Sequence, residues 1–343
     1  MSAGPLFSER KHNMKRLLKY TLGLLLMAII ALFVWGYAPD TDLAAMKAKY
    51  ASASSQFIDI GGGLTMHVRD EGKRDGPVLV LLHGSNASLH TWEPWVERLK
   101  GKYRIISLDQ IGHGLTGPNP TGKYDGDAFV GTLDALMVKM GVSKFALAGN
   151  SMGGFVAWEY ALAHPEKLTH LVLVDAAGPP EDPNKKLPIG FKIARTPVLN
   201  KLALFITPRS LFEKSLHSTV SNQSIVTPAA IDRYWELNRY PGNREATGLR
   251  FAAYSGRGRD MDRVSEIKLP TLILWGAEDK LIPVSGADWF AARIAGAVRI
   301  IYPGIGHIPM EEAADQSAAD LDAFLSKPFP SPAALPSIPA SRP

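Results

Sequence analysis

Ser151 stands in the stretch Leu-Ala-Gly-Asn-Ser-Met-Gly-Gly-Phe, with Gly149, Gly153 and Gly154 around it and an apolar run directly before it. Glycine weakens strands and helices alike, so three of them around one serine need a reason. A sharp strand-to-helix turn supplies one. In such a turn the serine is held in a conformation most residues avoid, and a Cβ at the flanking positions would collide with the backbone. The hydroxyl then lies at a helix N-terminus, where free N–H groups and the dipole favour a developing negative charge. The chemistry this suits is nucleophilic attack, which requires a base for the serine proton and a carboxylate to orient that base. Among the nine histidines, His307 lies in Tyr-Pro-Gly-Ile-Gly-His-Ile-Pro-Met-Glu-Glu, after the last apolar run and before the final helical pattern. Asp279, in Leu-Ile-Leu-Trp-Gly-Ala-Glu-Asp-Lys, directly follows the apolar run before that one. Asp175, closing Leu-Val-Leu-Val-Asp one run earlier, is the alternative acid. His83 in His-Gly and His113 in Gly-His-Gly read as hydrogen-bond donors that shape loops.

These residues need a scaffold that places three loops on one edge. Apolar runs at 77–84, 103–109, 144–149, 168–175, 271–276 and 298–304 alternate with helical patterns near 92–100, 126–141, 152–163, 284–295 and 311–326. Continuous apolar strands, each followed by a helix, predict an α/β fold with a mostly parallel central sheet covered on both faces. Before them, Phe-Ile-Asp-Ile and Leu-Thr-Met-His-Val-Arg-Asp flank Gly61–Gly63, which predicts a hairpin opening the sheet. The alternation stops between Asp175 and Leu269, where helical patterns replace strands; an insertion of that length over a parallel sheet predicts a helical cap, or lid. Its aromatic residues Phe205, Phe212, Tyr234, Trp235 and Tyr240 are candidates to line an apolar substrate site.

The chain carries a net charge of +5, but Arg10, Lys11, Lys15, Arg16 and Lys19 supply most of it. The remainder is close to neutral, so no basic face for nucleic acid is implied. There is no cysteine, which excludes disulfides and thiolate metal sites. From Tyr20 to Tyr37 no residue is charged, and as a helix this stretch spans roughly 27 Å, close to the ~30 Å of a bilayer's hydrocarbon core. Trp35 and Tyr37 fall where an interfacial aromatic belt would lie. Pro39 behind the small-residue exit Gly36-Tyr37-Ala38 disfavours cleavage, so an uncleaved anchor is expected rather than a signal peptide. Basic residues before the span and Asp40 and Asp42 after it predict a single-pass protein with its N-terminus in the cytoplasm and its main domain periplasmic or extracellular. The organisation expected is a basic tail at 1–16, an anchor at 17–38 and a polar stem or short helix at 39–55. A core at 56–178 and 269–326 follows, interrupted by the cap at 179–268, with a Pro-rich disordered tail at 327–343.

Five segments carry a family resemblance: Leu-Leu-His-Gly-Ser-Asn-Ala-Ser-Leu-His-Thr-Trp, Asp-Gln-Ile-Gly-His-Gly-Leu-Thr-Gly, Gly-Asn-Ser-Met-Gly-Gly, Leu-Ile-Leu-Trp-Gly-Ala-Glu-Asp-Lys-Leu-Ile-Pro and Gly-Ile-Gly-His-Ile-Pro-Met-Glu-Glu. Over about residues 56–326 the chain resembles the α/β-hydrolases, in particular the lidded serine esterases and meta-cleavage-product hydrolases. The resemblance implies that the backbone N–H groups of Ser85, with Asn86 next to it, and of Met152 stabilise an oxyanion. Serine at position 151 separates the chain from relatives that use an aspartate nucleophile. The reading that results is a carboxylic ester hydrolase acting on a small-molecule ester through Ser151, His307 and Asp279, with Asn86, Phe205, Phe212 and Trp235 as substrate contacts. It calls for no cofactor and no metal, and it leaves the oligomeric state open. A C–C bond hydrolase, a lactonase or a perhydrolase on the same residues is the alternative, and a non-catalytic binding protein of the same fold is the alternative from a different class.

Overall fold

The computed structural model describes residues 6–180, 189–255 and 261–327. The Pro-rich segment after Lys327 and the first five residues lie outside them. Eight strands form one sheet: β1 (Ser55–Asp59), β2 (Thr65–Gly72), β3 (Val78–Leu82), β4 (Arg104–Leu108), β5 (Phe145–Asn150), β6 (Leu168–Val174), β7 (Thr271–Gly276) and β8 (Val298–Tyr302). Their order is β1-β2-β4-β3-β5-β6-β7-β8. The first two strands pair antiparallel to their neighbours, and every pairing from β4 to β8 is parallel. The three glycines of the opening hairpin have φ of 90°, 63° and 76°, a run that a residue with a Cβ seldom sustains.

Helices precede and cover this sheet. They are α1 (Leu6–Gly36), α2 (Leu43–Tyr50), α3 (Glu93–Leu99), α4 (Gly126–Lys139), α5 (Met152–Ala163), α6 (Ile189–Arg195), α7 (Pro197–Leu202), α8 (Arg209–Thr219), α9 (Pro228–Asn238), α10 (Asn243–Ser255), α11 (Ser285–Ala291), α12 (Pro309–Glu312) and α13 (Ala314–Leu325). Successive strand residues bury to opposite faces, as the pleat requires. Val80, Leu82, Leu171 and Leu173 pack with Phe155, Trp158 and Phe290 on one side. Leu79, Leu81, Val172 and Val174 pack with Trp92, Trp95 and Leu321 on the other. Apolar side chains on both faces explain why these strands read as unbroken hydrophobic runs. The five helices α6–α10 are inserted between β6 and β7.

Within α1, His12–Gly36 is long and apolar enough to cross a membrane, and every residue from His12 to Trp35 is exposed. Its end is joined to the inserted helices. Ala38 N donates to Phe205 O at 2.9 Å, Thr207 N donates to Gly36 O at 2.8 Å, and the Arg244 guanidinium reaches Ala38 O at 2.6 Å and Asp40 Oδ1 at 2.5 Å. Nor does the segment 39–55 stand clear of the domain. Asp42 caps α2, whose Met46 and Tyr50 lie one turn apart and bury against Leu115, Leu237 and Tyr240.

Candidate active site

Ser151 joins β5 to α5 with φ 53° and ψ −116°, a region that few residues other than glycine enter. The sheet holds it there: its N–H donates to Val174 O at 3.0 Å and its carbonyl accepts from Ala177 N at 2.9 Å. The glycines around it are required by close approach. A Cβ on Gly149 would lie 2.1 Å from Gly153 O, one on Gly153 2.2 Å from Leu82 O, and one on Gly154 2.4 Å from the Ala176 Cβ. Gly84 is tight for the same reason, since its Cβ would come within 2.9 Å of Asn150 Oδ1 and 3.2 Å of the Ser151 Cβ. The 83–86 loop therefore runs directly against the serine. Met152 is the first residue of α5, where an N–H has no partner within the helix.

His307 and Asp279 meet from the loops after β8 and β7. Their contact, His307 Nδ1 to Asp279 Oδ2, is 2.7 Å long and shielded from solvent. With a carboxylate as acceptor, Nδ1 carries the proton and Nε2 keeps its lone pair. The other oxygen of Asp279 accepts from Leu281 N at 2.7 Å and Ile282 N at 3.0 Å, which fixes the carboxylate in its turn. Asn150 Nδ2 donates to His307 O at 3.0 Å, tying the serine turn to the histidine loop. A second device was not legible beforehand. Glu312 Oε2 accepts from Gly306 N, Ser221 N and Asn222 N, while its Oε1 accepts from Ile308 N. This buried carboxylate braces both sides of His307 and the segment after α8; the only sequence signal was its place in the final Glu-Glu. Asp175 is fully buried beside Asp279, with Oδ1 accepting from Gly276 N at 3.0 Å. The side chains of Asp175, Asp279 and His307 thus offer ligand-type atoms within 4.8 Å of one another, a grouping the sequence had not indicated. Two backbone N–H groups and the imidazole N–H already occupy the oxygens of Asp279, so this donor set is arranged for hydrogen bonding rather than for a cation.

Ser85 and Asn86 lie on the same loop as Gly84, and Asn86 has φ 59°. Arg250 on α10 holds them: its Nη2 donates to Ser85 Oγ at 3.0 Å and to Asn86 Oδ1 at 2.8 Å, and Thr247 Oγ1 adds a bond to Asn86 Oδ1 at 3.1 Å. Burial pushes the Arg250 guanidinium down to about 9. Nothing in the local sequence around Arg250 marks it, because its partners are distant in the chain. His83 Nε2 accepts from Gln110 N at 3.1 Å and its Nδ1 donates to Gly84 O at 2.7 Å; burial lowers its pKa. His113 donates from Nδ1 to Ile111 O at 2.9 Å and is held well below the usual imidazole range, again by burial first. Both are neutral braces of their loops.

One pocket gathers these residues. Ser151, His307, Ser85, Asn86 and Asn150 line it from the sheet side, while Ile193, Ala203, Leu211, Phe212, Leu216 and Tyr234 contribute from the inserted helices. Phe205 and Trp235 do not line it. Phe205 is 57% exposed and borders a separate hollow with Tyr37 and Pro39 at the end of α1. Trp235 turns its indole Nε1 to Thr207 O at 2.8 Å and stacks under the Arg239 guanidinium, 3.7 Å from the ring centroid. Tyr234, one step before Trp235 on α9, takes the expected place in the pocket, because one step along a helix turns a side chain by about 100°. Tyr240 packs against α2 instead.

Elsewhere the molecule holds a hydrogen-bonded serine–histidine–aspartate chain. Ser55 Oγ and His67 Nε2 are 2.8 Å apart, and His67 Nδ1 is 2.7 Å from Asp109 Oδ2. Ser55 belongs to edge strand β1, not to a helix N-terminus, and none of the three residues lines the pocket of Ser151. Asp109 also accepts from Leu89 N and Leu115 N, each at 2.8 Å, so this chain pins loops to the sheet.

Comparison with known proteins places the scaffold. A family model described as "alpha/beta hydrolase fold" matches residues 77–314. The chain belongs to the α/β-hydrolase family. Among relatives of this α/β-hydrolase are the dihydrolipoyllysine-residue acetyltransferase component of the acetoin cleaving system of Pseudomonas putida, 27% identical with 88% of this chain and 80% of that protein covered, and the 2-hydroxy-6-oxononadienedioate/2-hydroxy-6-oxononatrienedioate hydrolase of Klebsiella pneumoniae, 28% identical with 81% and 95% covered. A solved structure titled as a membrane phospholipase A, a bacterial virulence factor, is 25% identical, covers 91% of this chain and 98% of its own, and superposes with a TM-score of 0.69.

Proposed function

We propose that this α/β-hydrolase is a membrane-anchored serine hydrolase that cleaves carboxylic esters through an acyl-enzyme. The observation that carries the reading is the meeting of Ser151, at the N-terminus of α5, with His307 in one pocket, while Asp279 binds the other imidazole nitrogen. In this mechanism His307 Nε2 takes the Ser151 proton as Oγ attacks the acyl carbon, and returns it to the leaving alcohol. Water activated by the same nitrogen then releases the acid. The N–H groups of Met152 and of Ser85 or Asn86 receive the oxyanion, the latter loop being held in place by Arg250. The inserted helices α6–α10 act as the cap that supplies the acyl site.

Support for an apolar ester comes from the lining contributed by Leu211, Phe212 and Leu216. The relative solved as a membrane phospholipase A, similar over nearly the whole chain, points to lipid-like esters. On this reading, kcat/KM for p-nitrophenyl esters rises from acetate to octanoate, by up to about fourfold per methylene where each methylene is buried. A preference for acetate or for small charged esters would contradict the apolar acyl site, a preference for ring-fission diketones would replace the ester reading by the C–C alternative, and an absence of any turnover would favour a binding protein.

The same proposal places α1 across a membrane, with the basic N-terminus in the cytoplasm and the catalytic domain on the far side. Protease added to intact spheroplasts is expected to digest the domain while the protein stays in the membrane fraction. Protection of the domain would reverse the orientation, and a soluble product beginning near Pro39 would make α1 a cleaved signal.

A further inference from the structure

Asp175 is the buried carboxyl that the mechanism above leaves without a task. It caps the end of β6 with φ 44°, its N–H donates to Leu274 O at 3.0 Å, and its Oδ1 accepts from Gly276 N at 3.0 Å. None of it reaches solvent, and Oδ2 has no donor pointing at it among the described residues. The groups facing it are Asp279 and His307 within 4.8 Å, with Glu312 and the Tyr302 hydroxyl further out. Two carboxyls whose oxygens lie within 4.8 Å of each other and away from solvent cannot both be ionised without a large cost. Asp279 has the better claim to the charge: it accepts two backbone N–H groups and the imidazole N–H, whereas Asp175 accepts one backbone N–H.

We propose that Asp175 is a carboxylic acid whose Oδ2–H donates to Asp279, making it a positioning residue that fixes and tempers the carboxylate behind His307. Burial, with the Asp279 charge as the next cause, raises Asp175 well above the usual carboxylate range, in keeping with this geometry. A donor at this point occupies a lone pair of Asp279 that the backbone leaves open, so the carboxylate stays aimed at Nδ1 and not at Gly276. The pair also keeps a second carboxyl within reach of the histidine. When Asp279 is neutralised, the proton of Asp175 is no longer held and Asp175 itself supplies the negative charge.

The inference rests on the triad reading for its catalytic consequence, but its first test does not involve catalysis. A group protonated in the folded protein and ionised in the unfolded chain costs stability above the unfolded pKa of about 3.9, and more as pH rises toward the folded value. Asp175→Asn keeps the shape, tolerates positive φ and offers an amide N–H to Asp279. Its melting temperature relative to the full-length parent is therefore expected to climb between pH 5 and pH 7 by about 2 °C per pH unit. A difference that stays flat over that range overturns the proposal. The second test uses ester turnover. Asp175→Asn is expected to keep kcat within about threefold and the acid limb of kcat/KM in place. Asp175→Ala, which donates nothing, is expected to lose tenfold or more in kcat. In an Asp279→Asn background, Asp175→Asn is expected to remove a further tenfold that it does not remove from the parent. Equal effects of Asn and Ala at 175, or additive effects in the double variant, overturn the positioning role. If Ser151→Ala leaves turnover intact, the triad reading fails while the melting comparison still decides the protonation of Asp175.

Discussion

Ser151→Ala is expected to bring ester turnover down to background, a loss on the order of 10⁵- to 10⁶-fold in kcat, with the fold unchanged by circular dichroism. The size of the effect follows from the covalent step, because without Oγ no acyl-enzyme forms and His307 has no proton to take. A fluorophosphonate probe is expected to label the parent at Ser151 alone and to leave the variant unlabelled. The hydrogen-bonded chain of Ser55, His67 and Asp109 makes this demanding. Ser55 is hydrogen-bonded to His67 as a nucleophile would be to its base. It lies on a strand outside the pocket, away from any helix N-terminus. The alanine variant keeps Ser55, so labelling or turnover that survives in it would show that hydrogen-bonded geometry alone confers reactivity and would sink the mechanism proposed here.

The second large effect is expected at the acid. Asp279→Asn keeps the volume but presents an amide to His307, and an amide N–H facing Nδ1 selects the tautomer with its proton on Nε2, the wrong nitrogen for a base. A loss in kcat of at least about a hundredfold is expected at neutral pH, with KM changed little, because the acid acts on the proton transfer and touches no substrate. Circular dichroism and melting behaviour close to the parent would assign the loss to the site. An Asp279→Asn variant with parental kcat, paired with an inactive Asp175→Asn, would move the acid to Asp175.

The expectations that rest on local chemistry were available from the sequence. Each of the six apolar runs from 77 to 304 is a strand, and the central strands, buried on both faces, are apolar at nearly every position. The glycines around Ser151 announced the turn, since a backbone packed within 2.2 Å of a would-be Cβ admits nothing else. Placement of Ser151, Asp279 and His307 after β5, β7 and β8 followed from parallel pairing, which brings the ends of all those strands to one edge of the sheet.

Contacts made across the fold were another matter. Asp175 and Asp279 each follow a strand; the turn that aims two backbone N–H groups at Asp279 and turns it toward His307 exists only once the 276–282 loop is packed. Arg250 and Glu312 hold loops more than 80 residues away in the chain, so no spacing records them. The inserted helices show the limit most plainly. Phe212 and Tyr234 line the pocket while Phe205 and Trp235 do not, although all four carry the same apolar signal. Composition and periodicity determined that these helices have an apolar face, but which face meets the sheet, which meets α1 and which meets the pocket was decided by the docking of whole elements, whose energy is summed over many distant contacts and written in no single segment.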